Sequence, residues 1–269
     1  MNRVFGALLL VMMLALSLPL IAQPKRAFKG GEELRYVAEY KVGMFNVDIA
    51  VIDFTVKEEN RSGRPSYKVN AVAQVLEQYR YFFDMRDDYY VWLDRTTLKP
   101  IFFENFIKEG SYTLESNYVY DWTNMRVKTY ENRPVWESPK RREFELSNNS
   151  YDGLSLFYNL RSIPLEKIRI GVADTLNVVF ANKVRRIAYR FIGRENKKIK
   201  GVGYFKTLKF KCQLADGSGV SFKDGSEFTL WLSDDDNRIP LYIETPIRVG
   251  SVRGRLVDYK GLVAPLNKI

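Results

Sequence analysis

The stretch ELRYVAEYKV, residues 33–42, alternates in character along most of its length: Leu34, Tyr36, Ala38, Tyr40 and Val42 share one side, while Glu33, Arg35, Glu39 and Lys41 share the other. Period two is the side-chain period of a β-strand, so this is a strand with one face buried and one in water. YKVNAVAQV, residues 67–75, repeats the pattern, setting Tyr67, Val69, Ala71, Ala73 and Val75 against Lys68, Asn70 and Gln74. Between them VDIAVIDFTV, residues 47–56, is apolar on both sides and is expected to be covered on both; NRSGRPS supplies the turn that follows.

The same reading predicts strands near residues 88–94, 100–107, 112–121, 125–131, 142–146, 175–192, 204–214, 226–233, 239–245 and 249–259, separated at short intervals by turn residues. Such spacing is the mark of a sandwich or barrel rather than of βαβ units. SNNSYDGLSLFYNLRSIP breaks the pattern: capping-type residues come first, Leu154, Phe157, Tyr158 and Arg161 recur at helical spacing, and Pro164 ends it. The expected fold is therefore all-β, a large and mostly antiparallel β-barrel or closed sandwich, with one short helix near residues 151–161 that plugs an end or packs on a sheet face.

The chain has 269 residues, and its first 22, MNRVFGALLLVMMLALSLPLIA, hold one Arg, a long apolar run, Pro19 and a small residue at Ala22. That is the layout of a cleavable export signal. A retained membrane anchor is the competing reading, since Val4–Ala22 approaches the length that crosses a bilayer. Residues 23–269 then form a single domain of a size common for barrels. Removal of the leader takes away only Arg3, leaving 41 basic residues against 32 acidic ones, a net charge of +9. Cys212 is the lone cysteine and histidine is absent, which excludes an intramolecular disulfide, Ser-His-Asp and Cys-His catalysis, and the common zinc sites. An enzyme would have to use carboxylate pairs drawn from Asp84, Asp87, Asp88, Glu104 and Glu109. These are ordinary strand-surface residues in this sequence, and the expectation is a non-enzymatic protein without cofactor or metal. Asp234, Asp235, Asp236 and Asn237 have the oxygen chemistry of a calcium site but lie between two strand patterns and lack the calcium loop's Gly and distal Glu, so a hairpin turn is expected there.

Two features suggest ligand binding. EQYRYFFDMRDDYYVW, residues 77–92, carries seven aromatic rings and reads as two short strands joined near Asp87 and Asp88. Most of its rings fit core and cross-strand pairs, but Phe82, Tyr90 and Trp92 fall on the polar face, where they are candidates for stacking on sugar rings. The second feature is the segment from Lys183 to Lys211, with eleven basic residues and one acid, Glu195. Arg186 and Arg190 share a face of one strand, Lys209 and Lys211 point outward from another, and GRENKKIKG forms the tip between them. Such a ribbon attracts a polyanion, either an acidic polysaccharide or a lipid headgroup; nucleic acid does not suit an exported chain and no motif for it is present. The plain alternative is a soluble edge hairpin protected by Lys and Arg.

GEELRYVAEYKVGMFNVDIAVIDFTV, VWLDRTTLKPIFFE and TLWLSDDDNRIPLYIETPIRVGSVRGRLVDY together resemble a bacterial family of exported proteins, domain of unknown function 3108, over roughly residues 30–260. The resemblance implies a secreted, mostly antiparallel β-barrel related in fold to the YmcC-like group associated with extracellular polysaccharide export. It implies the periplasm or outer membrane surface of a Gram-negative envelope, and carries no catalytic residue. The expected role is non-catalytic binding of an anionic glycan or lipid by Arg186, Arg190, Lys209, Lys211, Phe82, Tyr90 and Trp92. The alternative is a structural module docking on another envelope protein.

Overall fold

The computed structural model describes residues 26–215 and 227–269, so the leader read as an export signal lies outside the described residues. The strands are β1 (Glu33–Val42), β2 (Phe45–Arg61), β3 (Arg64–Val75), β4 (Met85–Asp94), β5 (Pro100–Glu109), β6 (Tyr112–Asp121), β7 (Arg126–Asn132), β8 (Lys140–Glu145), β9 (Ser150–Tyr151), β10 (Ala173–Phe180), β11 (Lys183–Ile199), β12 (Gly203–Ala215), β13 (Glu227–Ser233), β14 (Pro240–Pro246) and β15 (Ser251–Lys260). One α-helix among the described residues, α1 (Gly153–Ser162), follows β9. No helix there is long and apolar enough to cross a bilayer.

All the strands join one sheet in the order β8-β7-β6-β5-β4-β3-β2-β1-β15-β14-β13-β12-β11-β10-β9. Neighbours in sequence are neighbours in space, as short turns between alternating strands dictate. The first and last strands meet in the middle, with Leu34 opposite Tyr259 and Tyr36 opposite Leu256. Among the described residues only the short β9–β10 pair is parallel. The two edges, β8 and β9, are consecutive in the chain, and among the described residues no ladder joins them. The far ends of the sheet nevertheless touch, because Thr129 in β7 donates a hydrogen bond to Asn182 in the β10–β11 turn. The result is a barrel-like, all-β fold with an unzipped seam, in agreement with the architecture expected from the alternation.

The helix lies inside this sheet rather than across an end. Leu154 and Tyr158 pack with Val69, Val91 and Phe103 of β3–β5, while Leu156 packs with Leu176, Tyr189 and Phe210 of β10–β12. Phe157 stacks on Phe54 of β2 at 4.6 Å. Asp152 starts the helix, accepting from the backbone N–H groups of Leu154 and Ser155 at 3.0 and 2.8 Å, while Asp152 N–H donates to Ser155 Oγ at 2.9 Å. This capping box satisfies donors that would otherwise be orphaned in the interior. At the other end Ile163 precedes Pro164, which cannot continue a helix. The last turn is fixed by Arg161, which is fully buried against an equally buried Glu32. Its guanidinium donates to both Glu32 carboxylate oxygens at 2.6 and 2.7 Å, to Ala27 O at 2.8 Å and to Asn237 O at 3.1 Å. A charge can stay in a dry interior only when its donors are met in this way.

Three boundaries differ from the sequence reading. The expected strand 175–192 is a hairpin, β10 and β11, whose turn residues Ala181 and Asn182 both adopt positive φ, 48° and 51°. The expected tip GRENKKIKG is strand up to Ile199, passing an irregularity next to Gly193, with the turn at Lys200 and Gly201. In the aromatic stretch the turn is not at Asp87 and Asp88, which lie within β4; the chain turns earlier, through a short 3-10 turn at Glu77–Tyr79 and the loop to Asp84. A further expectation, that residues 47–56 are covered on both faces, holds only in part: Ile52 and Phe54 of β2 are half-buried because they border empty space.

Candidate functional site: an interior cavity crossed by a polar row

That empty space is a cavity of about 550 Å³ inside the barrel. Its walls are the inner faces of β2–β7, its floor is α1 through Gly153, Leu154 and Phe157, and the β10–β11 turn closes one side with Val179, Phe180 and Ala181. Tyr112 and Phe180, both exposed, stand at its opening. The volume falls in the range of small-ligand sites, and the lining is mostly hydrophobic with a few polar groups.

Those polar groups are in register. Ala71 faces Tyr89 across β3–β4, Tyr89 faces Asn105 across β4–β5, Asn105 faces Ser116 across β5–β6, and Ser116 faces Glu131 across β6–β7. Because paired residues on adjacent strands point to the same face, the four polar side chains form one band across the concave wall. The adjoining band below, Val69, Val91, Phe103, Tyr118 and Thr129, is apolar except at its end and belongs largely to the core. Asn105 and Glu131 are 8% and 7% exposed. Among the described residues, Asn105 Oδ1 and Glu131 Oε1 have no hydrogen-bond partner, and neither has Asn182 Nδ2 beside Glu131. An unmet buried acceptor costs about 1–3 kcal/mol, so the cavity wall carries polar groups that the protein's own hydrogen bonds leave incomplete.

Electrostatics follow from burial. The Glu131 carboxyl is pushed above its ordinary range by loss of water, an effect opposed by Lys140 and by neighbouring Asn182 and Tyr118. Asp87, also inward, is raised by burial, less the hydrogen bond from Lys108 N–H at 3.2 Å. At the floor, burial raises Asp152 to about 6 despite the helix N–H groups that stabilise its charge. Cys212 lies in the opposite half of the interior, where burial pushes its thiol up to about 12, far from a nucleophile's range.

The residues expected to bind ligand occupy other places. Phe82 stands 82% exposed in the loop before β4, edge-on to Tyr81 at 5.5 Å. Tyr90 and Trp92 lie on the outer face of β4, and Trp92 is buried by the protein's own cations: the Arg61 guanidinium sits 4.0 Å from its ring and 3.9 Å from Phe102, and Lys68 lies at 4.8 Å. Its indole N–H donates to Glu59 at 3.0 Å. A sugar ring stacking on Trp92 would have to displace Arg61. None of these three rings lines the cavity.

The basic residues sit on the outer face of β11 and β12, where Arg190 is opposite Lys211. Carboxylates interleave with them: Lys209 pairs with Glu195 at 3.1 Å, Lys211 with Glu227 at 2.6 Å, Arg190 approaches Glu227 at 4.0 Å, and Arg194 pairs with Asp234 at 2.8 Å. Lys197 lies over Trp231 at 3.6 Å. Arg186 remains exposed near the end of the ribbon. Asp235 of the acidic turn accepts from Ser233 Oγ at 2.8 Å and from the N–H groups of Asn237 and Arg238 at 2.9 and 3.2 Å, which are turn-forming bonds. Of the carboxylates considered for catalysis, Asp87 and Glu109 face the interior, whereas Asp84 and Asp88 bond Lys108 and Arg86 at 3.0 Å on the outside.

The polar row was not picked out from sequence, yet it leaves a trace there. Phe103-x-Asn105-x-Ile107, Leu114-x-Ser116-x-Tyr118 and Val127-x-Thr129-x-Glu131 each place polar groups in an inward, otherwise apolar series. One such residue is noise. Three on consecutive strands at the same ladder level form a continuous polar band, but the level is known only once the register is.

No curated protein matches the chain. Among solved structures it is similar to a β-barrel-like protein of domain of unknown function DUF1849 from Brucella abortus, with a TM-score of 0.56 at 10% identity, covering 87% of this chain and 98% of that one. At that identity the likeness concerns the fold alone. The model of the family "Protein of unknown function (DUF3108)" matches residues 35–257, and the chain belongs to that family.

Proposed function

We propose that this protein is a non-catalytic carrier that holds a small, largely apolar molecule in the interior cavity, and that it works after export, in the periplasm or at the envelope surface. The observation that supports this most is the band Tyr89–Asn105–Ser116–Glu131 crossing an apolar cavity wall, with acceptors lacking donors on two of its members. The surface alternative, a polyanion on Arg186, Arg190, Lys209 and Lys211, receives less support, because Glu195 and Glu227 already bond the two lysines. Inside the cavity an anion is disfavoured too, since the lining includes Glu109 and Glu131 and, among the described residues, no Lys or Arg. A glycan with a free carboxylate therefore suits neither place as well as a lipid-like molecule suits the interior.

The test is titration of residues 23–269 with the fluorescent apolar probe N-phenyl-1-naphthylamine, alongside Ala73→Phe, which places a ring in the cavity. Saturable binding by the native chain that Ala73→Phe abolishes, with unfolding still cooperative, supports the proposal. Equal binding by both chains rejects it.

A further inference from the structure

The cavity's charged groups are of one sign. Glu109 and Glu131 place carboxyl groups on the wall, and Asp87 adds another beside it. Among the described residues no Lys or Arg lines the space. The nearest candidate, Lys140, is the ladder partner of Glu131 across β7–β8, but its ammonium lies over the Trp136 ring at 4.0 Å. Between Asn105 and Glu131 stands the buried Ser116. The two outer residues are on strands separated by one other, so their backbones are about 9–10 Å apart, and both line the cavity.

We propose that the ligand is a cationic amphiphile: an apolar body that fills the space above α1, ending in a primary ammonium held between Asn105 and Glu131. This rests on the cavity being a binding site. An ammonium brings three donors and a positive charge, the complement of a lining that carries the carboxyl groups of Glu109 and Glu131. A hydroxyl brings one donor and no charge to set against the carboxyl groups. A carboxylate brings only acceptors and would meet buried carboxyl groups of its own sign. The preference does not follow from overall charge, because a chain of net +9 after loss of the leader repels cations at long range.

The experiment is displacement of the bound naphthylamine probe by dodecylamine, dodecanol and dodecanoate, each below its micellar concentration, with the native chain, Glu131→Gln and Asn105→Leu. The expected order is amine, then alcohol, then carboxylate, with the amine at least about tenfold tighter than the alcohol, a ratio worth about 1.4 kcal/mol. Glu131→Gln removes most of the preference for the amine while leaving dodecanol binding within about twofold, which separates loss of the charge contact from loss of the fold. Dodecanoate binding as tightly as the amine, or an amine preference that survives Glu131→Gln, overturns the ammonium assignment and leaves the cavity reading intact. Probe binding with displacement by none of the three overturns the cavity reading as well.

Discussion

The two sides of the barrel interior are built from the same alternation and end in opposite states. On the β11–β13 side the row Phe191–Phe210–Leu230 runs across three strands, every member is buried, and Leu156 of the helix packs against it. On the β5–β7 side the corresponding kind of row is Asn105–Ser116–Glu131, and a cavity of about 550 Å³ stands in front of it. The contrast separates two levels of information. Period two decides that a wall exists and which face is inward. The size and polarity of the inward residues decide whether the space behind the wall is filled. A barrel of this breadth has room for both a plug and a ligand, and the helix, leaning on both sides, divides the space between them.

The largest effect is expected where the two sides are tied together. Arg161→Leu leaves Glu32 buried without its bidentate partner and removes the bonds to Ala27 and Asn237, so it should cost about 3–5 kcal/mol and loosen both sides at once. A urea denaturation series measures it. Loss of less than about 1 kcal/mol would show that water reaches Glu32 and that α1 is held by its apolar contacts alone.

Next comes the contrast itself. Phe210→Ala opens a hole in a filled region and should cost about 3–5 kcal/mol. Ile107→Ala, on the cavity wall, removes a side chain that already borders empty space and should cost no more than about 2 kcal/mol, at the low end for such truncations. Equal costs would mean that the cavity wall is packed as tightly as the opposite side.

How much of this was legible in the sequence differs between wall and interior. The expected strand 112–121 coincides with β6, and 204–214 falls one residue short of β12 at each end, because side-chain alternation is a local property. The helix was equally legible, since Asp152 and Pro164 bracket it. The β10–β11 turn was not: Phe180-Ala181-Asn182-Lys183 contains no Gly, and its two positive-φ residues announce themselves only through Asn182, a residue tolerated there. Asp87 and Asp88 misled for the complementary reason, being turn-type residues that the inner and outer faces of β4 both use. The polar row depends on register between strands, which no single strand encodes.

A pH effect of intermediate size probes the floor of the cavity. Burial holds Asp152 at about 6, against 3.8 for an unperturbed carboxyl, so between those values the folded chain keeps a proton that the unfolded chain has lost. Stability from this group is thus fully present below pH 4 and declines as pH rises to 6, by up to about 3 kcal/mol. Asp152→Asn keeps the acceptor at the helix start and stands in for the protonated acid. It should match the native chain at pH 4, exceed it at pH 7, and flatten the profile between; an unchanged profile would show that the Asp152 charge is compensated in the folded state.

The smallest expected change is the one that turns one side of the interior toward the character of the other. Asn105→Leu replaces a carboxamide whose oxygen is buried and unmet with a side chain of similar length that brings no polar atom. Removing an unpartnered acceptor and extending apolar contact both favour the folded state, so a gain of about 1 kcal/mol is expected. Stability rising while affinity for the amine falls is the signature of a group retained for its ligand at the expense of the fold. A loss of stability instead would assign Asn105 to the architecture of the wall, and the two sides of the interior would then differ in packing alone.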